Sequence, residues 1–375
     1  MQLSYWERQQ YFNQVDVAIV GSGIVGLSSA IHLKRERPDW KIIVIERSFL
    51  PYGASTRNAG FACFGSVSEL LSDLKNHTEE ELLALVKRRY YGLKTLRQML
   101  GDDVLEYEPL GGYEIFSVND SKQWHTCKDQ LKYLNQLLSS AIPEKTIFAD
   151  ASAQLNNFQF CNIIGMIKNH AEGQLNTGSM MQGLITLAQS LGIILINGLP
   201  IKQVADDGTL ITDTFGFRPK NVLLATNAFA AELIPDLAVQ PARAQVLITK
   251  PLEKIPFAGS FHFDEGYYYF RNVGNRILLG GARNIDFAGE FTSAFGLTDI
   301  IQNKLKSMLE ETILGHTNYE LDLQWSGIMG LGTKKTTIIK AIHSNVFCAV
   351  RMGGMGVAIG SLVGKEAAGL VISHN

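Results

Sequence analysis

Apolar and polar positions along the N-terminal part of the chain follow the order strand, helix, strand. Residues 17–20 are all apolar, residues 24–35 carry apolar positions at helical spacing, and residues 42–45 form a second apolar run. Short uninterrupted apolar runs are typical of strands that are buried on both faces, as in a parallel sheet. The pattern therefore predicts a βαβ unit over about residues 16–46.

A glycine-rich turn joins the first predicted strand to the helix. Gly21, Gly23 and Gly26 have the spacing G-x-G-x-x-G, which permits a tight turn, close approach of a pyrophosphate and close packing of helix on strand. Glu46 ends the second apolar run, where a carboxylate can accept hydrogen bonds from an adenosine ribose. These features predict a dinucleotide site, and the carboxylate favours NAD or FAD over NADP.

The rest of the chain alternates further helical and strand patterns. The expected helices are 78–100, 122–138, 179–191 and a small-residue helix that runs through Leu362 and Leu370. The expected strands are 111–118, 193–196, 201–204, 209–212, 222–225, 244–249, 267–271, 277–279 and 346–350. The central run of strands suits a second, mainly antiparallel sheet.

The predicted fold class is α/β plus α+β, with a Rossmann-like domain and a second, substrate-binding domain. We expect a discontinuous dinucleotide-binding domain from residues 14–77, 150–240 and 325–375. We expect the substrate domain from residues 78–149 and 241–324. A chain of 375 residues with 46% hydrophobic content is large enough for two such cores.

Composition argues against several other classes of protein. The formal net charge is only −2 and no basic stripe occurs, so we expect no nucleic-acid binding. No basic leader and no apolar run long enough to cross a bilayer are present, which favours a cytoplasmic protein without a transmembrane segment. The cysteines and histidines are scattered, so we expect neither a disulfide nor a metal site. His262 and His343 are expected to be core or surface residues.

Six further segments carry a family resemblance, and their order along the chain is specific. They are residues 53–60, 224–228, 241–247, 279–281, 325–327 and 353–356. With the N-terminal turn, they resemble the D-amino acid oxidase-like superfamily of FAD-dependent amine and amino-acid oxidoreductases. The resemblance covers nearly the whole chain.

The resemblance implies FAD as the cofactor and gives a set of residues to hold it. No cysteine lies between Trp325 and Lys340, where members with covalent flavin carry one, so we expect non-covalent FAD. The implied cofactor-binding residues are Gly21, Ser22, Gly23, Ile24, Val25, Gly26, Glu46, Arg47, Ser55, Thr56, Arg57, Asn58, Ala59, Gly60, Val204, Ala225, Thr226, Asn227, Gly327, Gly353, Gly354, Met355 and Gly356.

The resemblance also implies a reaction and its residues. A hydride passes from the carbon beside an amine nitrogen to flavin N5, which requires positioning groups rather than a catalytic triad. Arg57 is implied beside the flavin ring and Tyr268 as the tyrosine that faces it. Arg283 and Arg351 are candidates to bind a substrate carboxylate. The alternatives are a surface role for Arg57, packing roles for the tyrosines and structural ion pairs for the last two arginines.

One departure from the family pattern leaves the substrate open. Members that act on simple amino acids follow Trp-x-Gly with an arginine, but this chain has Ile328 and Met329 there. Two other functions therefore stay as alternatives. One is a nicotinamide-dependent dehydrogenase, and the other is a flavin-binding electron-relay subunit without substrate oxidation of its own. The electron acceptor, oxygen or another, and the oligomeric state are also open.

Overall fold

Two large sheets organise the fold, which the computed structural model describes over residues 2–315 and 317–375. The first sheet has six strands among these residues. Their spatial order is Ile338–His343, Val346–Val350, Asn221–Leu224, Val17–Val20, Ile42–Glu46 and Ile194–Asn197. All neighbours in it are parallel except the first pair, which is antiparallel. This confirms the predicted Rossmann-like sheet.

The second sheet has eight strands in the described part of the chain. Their order is Leu321–Leu331, Gln240–Thr249, Arg276–Gly281, Tyr268–Val273, Ser260–Phe263, Gly112–Ser117, Ile163–Asn169 and Phe148–Asp150. Its pairs are antiparallel apart from Ser260–Phe263 with Gly112–Ser117. The mainly antiparallel sheet is thus confirmed.

Two small sheets and the helices complete the described structure. The small sheets are Gln203–Val204, Leu210–Ile211 and Gly216–Phe217, and the pair Phe61–Ala62 and Gly173–Gln174. The α-helices are Tyr5–Glu7, Ile24–Glu36, Ala54–Arg57, Val67–Asp73, Glu79–Leu100, Asp102–Leu105, Ser121–Asp129, Leu131–Leu138, Leu155–Phe158, Thr177–Ser190, Ala230–Leu233, Asp299–Met308 and Gly356–Ser373. Short 3₁₀ turns are Val118–Asp120, Ser152–Gln154, Asn227–Phe229 and Arg283–Ile285, and π turns are Arg8–Phe12 and Leu309–Ile313.

The long helix Glu79–Leu100 begins where its sequence provides a capping box. The Thr78 hydroxyl accepts a hydrogen bond from the Glu81 N–H, and the Glu81 carboxylate accepts one from the Thr78 N–H. Glutamates in its first turn also favour the positive end of the helix dipole. The predicted start of this helix is therefore confirmed.

The C-terminal helix Gly356–Ser373 is long and apolar enough to cross a membrane by length and composition alone. However, it packs on both Ile24–Glu36 and Glu79–Leu100. Residues such as Val363, Ala367 and Val371 are fully or almost fully buried there. Small residues make this possible, since a Cβ at Gly364 would lie 2.6 Å from Ser28 Cβ. The helix has the packing of a core helix in a folded domain.

The structure assigns some segments differently from the expected domain ranges. Strand Ile163–Asn169 lies in a range predicted for the dinucleotide-binding domain, yet it pairs in the eight-stranded sheet. Helix Glu79–Leu100 lies in a predicted substrate-domain range, yet it packs on the C-terminal helix. The predicted helix 122–138 is two helices that meet at Gln130. In each case distant packing partners decide the assignment, and local periodicity does not show them.

Candidate cofactor and substrate site

A cavity of about 590 Å³ lies between the two large sheets. One side is formed by the glycine turn after Val17–Val20 and by the loops at the same end of the first sheet. The other side is formed by residues of the eight-stranded sheet, among them Val246, Tyr269 and Ile328. Ligands of open α/β sheets bind at the carboxyl ends of the parallel strands, where this cavity begins.

The glycine turn has the backbone geometry that its sequence predicts. Gly21 has φ +106°, and a Cβ there would lie 2.8 Å from the Ala225 carbonyl oxygen. At Gly26 a Cβ would lie 1.9 Å from the Gly21 carbonyl oxygen, so only glycine lets the helix approach the turn. Helix Ile24–Glu36 has no side-chain hydrogen bond at its N-cap, Gly23. The Ile24 N–H donates to the Ser55 hydroxyl at 3.0 Å. The next N–H groups of the helix start, those of Val25 and Gly26, are therefore the ones available to an anion such as a pyrophosphate.

Glu46 is held at the end of its strand by three hydrogen bonds. Its carboxylate accepts from the Ser22 N–H at 3.2 Å, from the Ser22 hydroxyl at 2.9 Å and from the Ser48 N–H at 3.2 Å. Glu46 lines the cavity. The carboxylate is thus fixed beside the glycine turn, in the position expected for a ribose partner. Ser22 acts through Glu46 and does not itself line the cavity.

The loop from Gly53 to Gly60 is fixed to helix Thr177–Ser190 and to the eight-stranded sheet. The Asn58 side chain accepts from the Gly60 N–H at 2.9 Å and from the Thr177 hydroxyl at 2.8 Å. Arg271, on the eight-stranded sheet, donates from Nη1 to the carbonyls of Gly60 at 3.0 Å and Leu175 at 2.7 Å. Burial lowers the pKa of Arg271 to about 10, which still leaves it charged near neutral pH. A strand of one sheet therefore positions a cofactor loop of the other.

Arg57 lies on the cavity wall between two aromatic rings. Its guanidinium carbon is 4.2 Å from the Tyr52 ring centre and 5.0 Å from that of Phe295. Nη2 donates to the Tyr52 hydroxyl at 2.9 Å, while the buried Nε has no hydrogen-bond partner. Trp325 Nε1 donates to the Arg57 carbonyl at 3.0 Å. A half-buried guanidinium without an acidic partner among the described residues suits an electron-rich ligand.

A second helix begins at the cavity without a side-chain cap. Gly353 and Gly354 have φ +60° and +82°, and helix Gly356–Ser373 follows from its N-cap, Met355. The Asn227 amide oxygen accepts from the backbone N–H groups of Arg351 at 3.1 Å and Met352 at 3.2 Å. The amide therefore fixes the turn, and the uncapped N-terminus gives the cavity a second set of N–H donors.

The cavity fits the implied FAD on these observations: two helix N-termini whose N-cap residues make no side-chain cap, a fixed carboxylate and glycines at positions that a Cβ would obstruct. Most of the implied cofactor residues line it: Gly21, Gly23, Ile24, Val25, Glu46, Arg47, Ser55, Arg57, Asn58, Ala59, Ala225, Thr226, Asn227, Gly327, Gly353, Gly354, Met355 and Gly356. Ser22, Gly26, Thr56, Gly60 and Val204 are not among the lining residues. Val204 is packed in the core, and Leu199 and Ile201 line the cavity in its place.

The expectation for Tyr268 needs correction. Its side chain is buried in the core on the far face of the strand, beside Phe263. Tyr267 and Tyr269 line the cavity instead. The predicted alternation along the strand is present, but the face that meets the cavity is the opposite one. Burial raises the pKa of Tyr269 to about 12, so its phenol stays a neutral hydrogen-bond donor.

The two candidate carboxylate-binding arginines lie in different surroundings. Arg283 lines the cavity and stacks over Phe287 at 4.7 Å, with no ion pair to any described residue. Arg351 points away and donates to the Thr336 carbonyl at 2.7 Å and the Ala238 carbonyl at 3.0 Å. The expectation that Arg351 could bind substrate is therefore corrected: its guanidinium ties two loops together.

A charged group that the sequence did not suggest forms another part of the cavity wall. Glu69 pairs with Arg89 at 3.3 Å and with Lys335 at 3.2 Å, and Lys335 also pairs with Asp73 at 2.7 Å. Burial opposes ionisation of Glu69, but the charges of Arg89 and Lys335 outweigh it and lower the pKa of Glu69. These residues come from three separate segments, so no local spacing indicated them.

Cys63 and His262 also line the cavity, and Glu172 lies behind them. Their sulfur, imidazole and carboxylate ligand atoms all lie within 4.8 Å of one another. Burial alone disfavours a charged His262, but the neighbouring Cys63 and Glu172 side chains raise its pKa well above the usual value. Sequence reasoning missed this cluster because its members are far apart in the chain, and His262 was expected to be an ordinary core or surface residue.

Comparison with known proteins gives matches over nearly the whole chain. The model of the DAO family, FAD dependent oxidoreductase, matches residues 16–370. Gamma-glutamylputrescine oxidoreductase of Escherichia coli is 23% identical, over 95% of this chain and 83% of that protein. Glycine oxidase of Geobacillus kaustophilus is 22% identical, over 77% and 75%.

Solved structures show the same fold. Iminodiacetate oxidase from Chelativorans sp. BNC1 superposes with a TM-score of 0.76 at 19% identity, covering 95% of each chain. L-proline dehydrogenase from P. horikoshii gives a TM-score of 0.75 at 15% identity, covering 96% of this chain and 94% of that one. At this level of identity the likeness is one of fold, and the chemistry must be argued from the site.

Proposed function

Because the chain belongs to the DAO family of FAD-dependent oxidoreductases, we propose that it oxidises the carbon–nitrogen bond of an amino acid or an N-substituted amino acid. The observation that carries this substrate class is Arg283, a cavity-lining guanidinium with no ion pair among the described residues. A carboxylate can bind such a guanidinium through two parallel hydrogen bonds.

Other residues of the cavity wall suit the rest of such a substrate. Phe61, Val246, Ile328 and Met329 give it an apolar surface, which excludes water and favours the neutral amine that can lose a hydride. The neutral Tyr269 phenol provides one hydrogen-bond donor in the same wall. Together these groups can bind one carboxylate and one uncharged amine.

The chemistry that FAD supplies when bound is acceptance of a hydride from the carbon beside the nitrogen, after which water hydrolyses the imine product. The residues of this chain bind and orient. Arg57 provides a fixed positive charge in the cavity wall, as the family resemblance places it beside the flavin ring. The relatives named above act, by their names, on glycine, iminodiacetate, proline and gamma-glutamylputrescine. That range supports an amine or amino-acid substrate without selecting one.

The proposal includes three further points. The FAD is non-covalent, so denaturation should release all of the yellow chromophore into the supernatant. The electron acceptor is oxygen or another oxidant. The protein works in the cytoplasm, which is consistent with four cysteines that are all free.

The test is an anaerobic absorbance titration of the purified flavoprotein. The panel contains D- and L-amino acids, N-methyl amino acids and, for each, the methyl ester and the decarboxylated amine. We expect the flavin to bleach with a free acid and to respond at least about tenfold more weakly to its ester, because the ester cannot pair with Arg283. Re-admission of air then separates an oxidase from a dehydrogenase.

Two variants make the test specific to Arg283. Arg283→Gln should raise the substrate concentration needed for half bleaching by about 10- to 100-fold, while Arg218→Gln, an exposed arginine elsewhere, should leave it unchanged. Bleaching by simple amines with no preference for a carboxylate would refute the substrate class. A flavin that no compound bleaches would instead favour the electron-relay alternative.

A further inference from the structure

We propose that Cys63, Glu172 and His262 form a binding site for a thiophilic divalent cation, with zinc as the best fit, and that its fourth coordination position opens on the cavity. Thiolate, imidazole and carboxylate are the ligand types that zinc takes in proteins. Three protein ligands with one open position are typical of zinc sites that also bind water or a ligand. Among the described residues this is the group of side chains with that composition and proximity.

The backbone brings the three residues together independently of any ion. Strands Phe61–Ala62 and Gly173–Gln174 pair so that Ala62 lies opposite Gly173, and the next step of this register places Cys63 opposite Glu172. His262 comes from the eight-stranded sheet, where its ring packs edge-on against Phe61 at 5.2 Å. The ligands are therefore held by two sheets, and they do not depend on a flexible loop.

The separations suit a tetrahedral ion after small adjustments. His262 Nε2 lies 3.7 Å from Glu172 Oε2, and the three ligand atoms lie within 4.8 Å of one another. Metal–ligand bonds of about 2.0–2.3 Å place neighbouring ligand atoms roughly 3.3–3.8 Å apart around such an ion. Small side-chain rotations can bring the three ligand atoms from within 4.8 Å of one another to these shorter distances.

Two observations show how closely the cluster is enclosed. His262 Nε2 is buried, with a side chain 10% exposed, and it makes no hydrogen bond to any residue that the structure describes, although Glu172 Oε2 faces it at 3.7 Å. The space for the carboxylate depends on Gly112, where a Cβ would lie 2.0 Å from Glu172 Oε2. A cation between the three side chains would coordinate this nitrogen together with the sulfur and the carboxylate.

Backbone groups around the cluster also hold the Glu172 carboxylate in a fixed orientation, as metal sites require. Glu172 Oε1 accepts from the backbone N–H of Phe64 at 2.9 Å and of Gly65 at 3.3 Å, which leaves Oε2 directed at His262. Such outer hydrogen bonds fix ligand orientation. Cys63 and His262 line the cavity, whereas Glu172 does not, so the open position faces the cavity. Binding would release the Cys63 thiol proton, and the His262 proton where the ring carries one, to solvent.

The test uses FAD-loaded protein, reduced with a phosphine, treated with Zn²⁺ and passed through gel filtration before metal analysis. We expect about one zinc per chain in the wild type and a loss of affinity of roughly 100-fold or more in Cys63→Ser and in His262→Gln. Cys161→Ser is the matched control, because Cys161 is also free but lies outside the cluster, and it should keep its zinc. FAD content and melting temperature report whether each variant is folded.

A spectroscopic measurement keeps the proposal testable if a variant does not fold. Co²⁺ added to the wild type should give absorption in the red, beyond the flavin bands, together with a sulfur-to-cobalt charge-transfer band. No zinc above background in the wild type would overturn the proposal, as would zinc that remains in both ligand variants. Cobalt bound without thiolate character would overturn it as well, because Cys63 would then not be a ligand.

Discussion

The close contact between the first helix and the glycine turn gives a sharp prediction about stability. In Gly26→Ala the new Cβ would lie 1.9 Å from the Gly21 carbonyl oxygen. The oxygen is a backbone atom and the backbone fixes the position of the Cβ, so no side-chain rotation relieves the clash. Ordinary van der Waals contact begins near 3.4 Å, so the helix and the turn must move apart. Overpacking of this kind costs about 1–3 kcal/mol or more in free energy of unfolding, and the upper end applies because backbone must shift.

The matched control is Gly369→Ala. A Cβ at Gly369 meets no atom within 4 Å, and the residue is exposed within helix Gly356–Ser373. There the substitution should stabilise the protein by about 0.5–1 kcal/mol, because alanine is the better helix former. The same chemical change should therefore have opposite signs at the two positions.

The assay is denaturant unfolding of the apoprotein, followed by titration of refolded protein with FAD through quenching of flavin fluorescence. We expect Gly26→Ala to lower the free energy of unfolding by about 3 kcal/mol and to weaken FAD binding at least tenfold, because the displaced turn carries the N–H groups of the helix start. Equal stability of Gly26→Ala and wild type, or losses of similar size in both variants, would refute the reasoning.

Four other predictions concern single residues. Glu46→Gln removes the charge but not the shape of the carboxylate held by the glycine turn, and we expect FAD affinity measured by fluorescence to fall about tenfold. Glu290→Gln disturbs a fully buried carboxylate paired with Arg243 at 2.7 Å, so chemical denaturation should show a loss of about 3–5 kcal/mol. Arg351→Met should lower the melting temperature without changing KM for the substrate, because its guanidinium binds backbone carbonyls; a raised KM with unchanged stability would contradict this. Burial lowers the pKa of His32 from 6.5 to about 4, so the ring is neutral when folded but takes a proton when unfolded below pH 6.5. Unfolding free energy should therefore fall as pH decreases from 6.5 to 4, by about 2 kcal/mol after allowance for partial exposure, and His32→Gln should flatten that slope.

The parts of the site that the sequence predicted are those that depend on short segments. Gly21, Gly26 and Glu46 belong to one βαβ unit, and the constraints on each arise from neighbours within that unit or from the adjacent strand. Their geometry is therefore encoded locally, and the motif describes it well. The alternation of Tyr267, Tyr268 and Tyr269 was also predictable, because successive side chains on a strand point to opposite faces.

The parts that the sequence did not predict depend on how distant segments meet. Alternation alone cannot say which face of a strand meets the cavity, and Tyr268 lies on the face that packs in the core. The orientation of Arg351 follows from its left-handed backbone, φ +67°, which local composition does not indicate. The grouping of Cys63, Glu172 and His262 requires two sheets to pack together. Each of these features depends on tertiary contacts that have no periodic signature.

The two sheets contribute different kinds of groups to the cavity. Side chains on the substrate side can therefore vary without a change in the backbone that holds the cofactor. The first sheet supplies helix starts and backbone donors, which any dinucleotide requires and few substitutions can replace. The second sheet supplies side chains such as Tyr269 and Arg283, which can change without altering the backbone that holds the cofactor. Arg271 links the two, since its guanidinium binds the Gly60 carbonyl across the interface. The proposed carboxylate partner, Arg283, follows strand Arg276–Gly281, which is separated from the strand of Met329 by Gln240–Thr249. A change of carboxylate partner on this sheet therefore leaves the backbone that holds the cofactor unchanged.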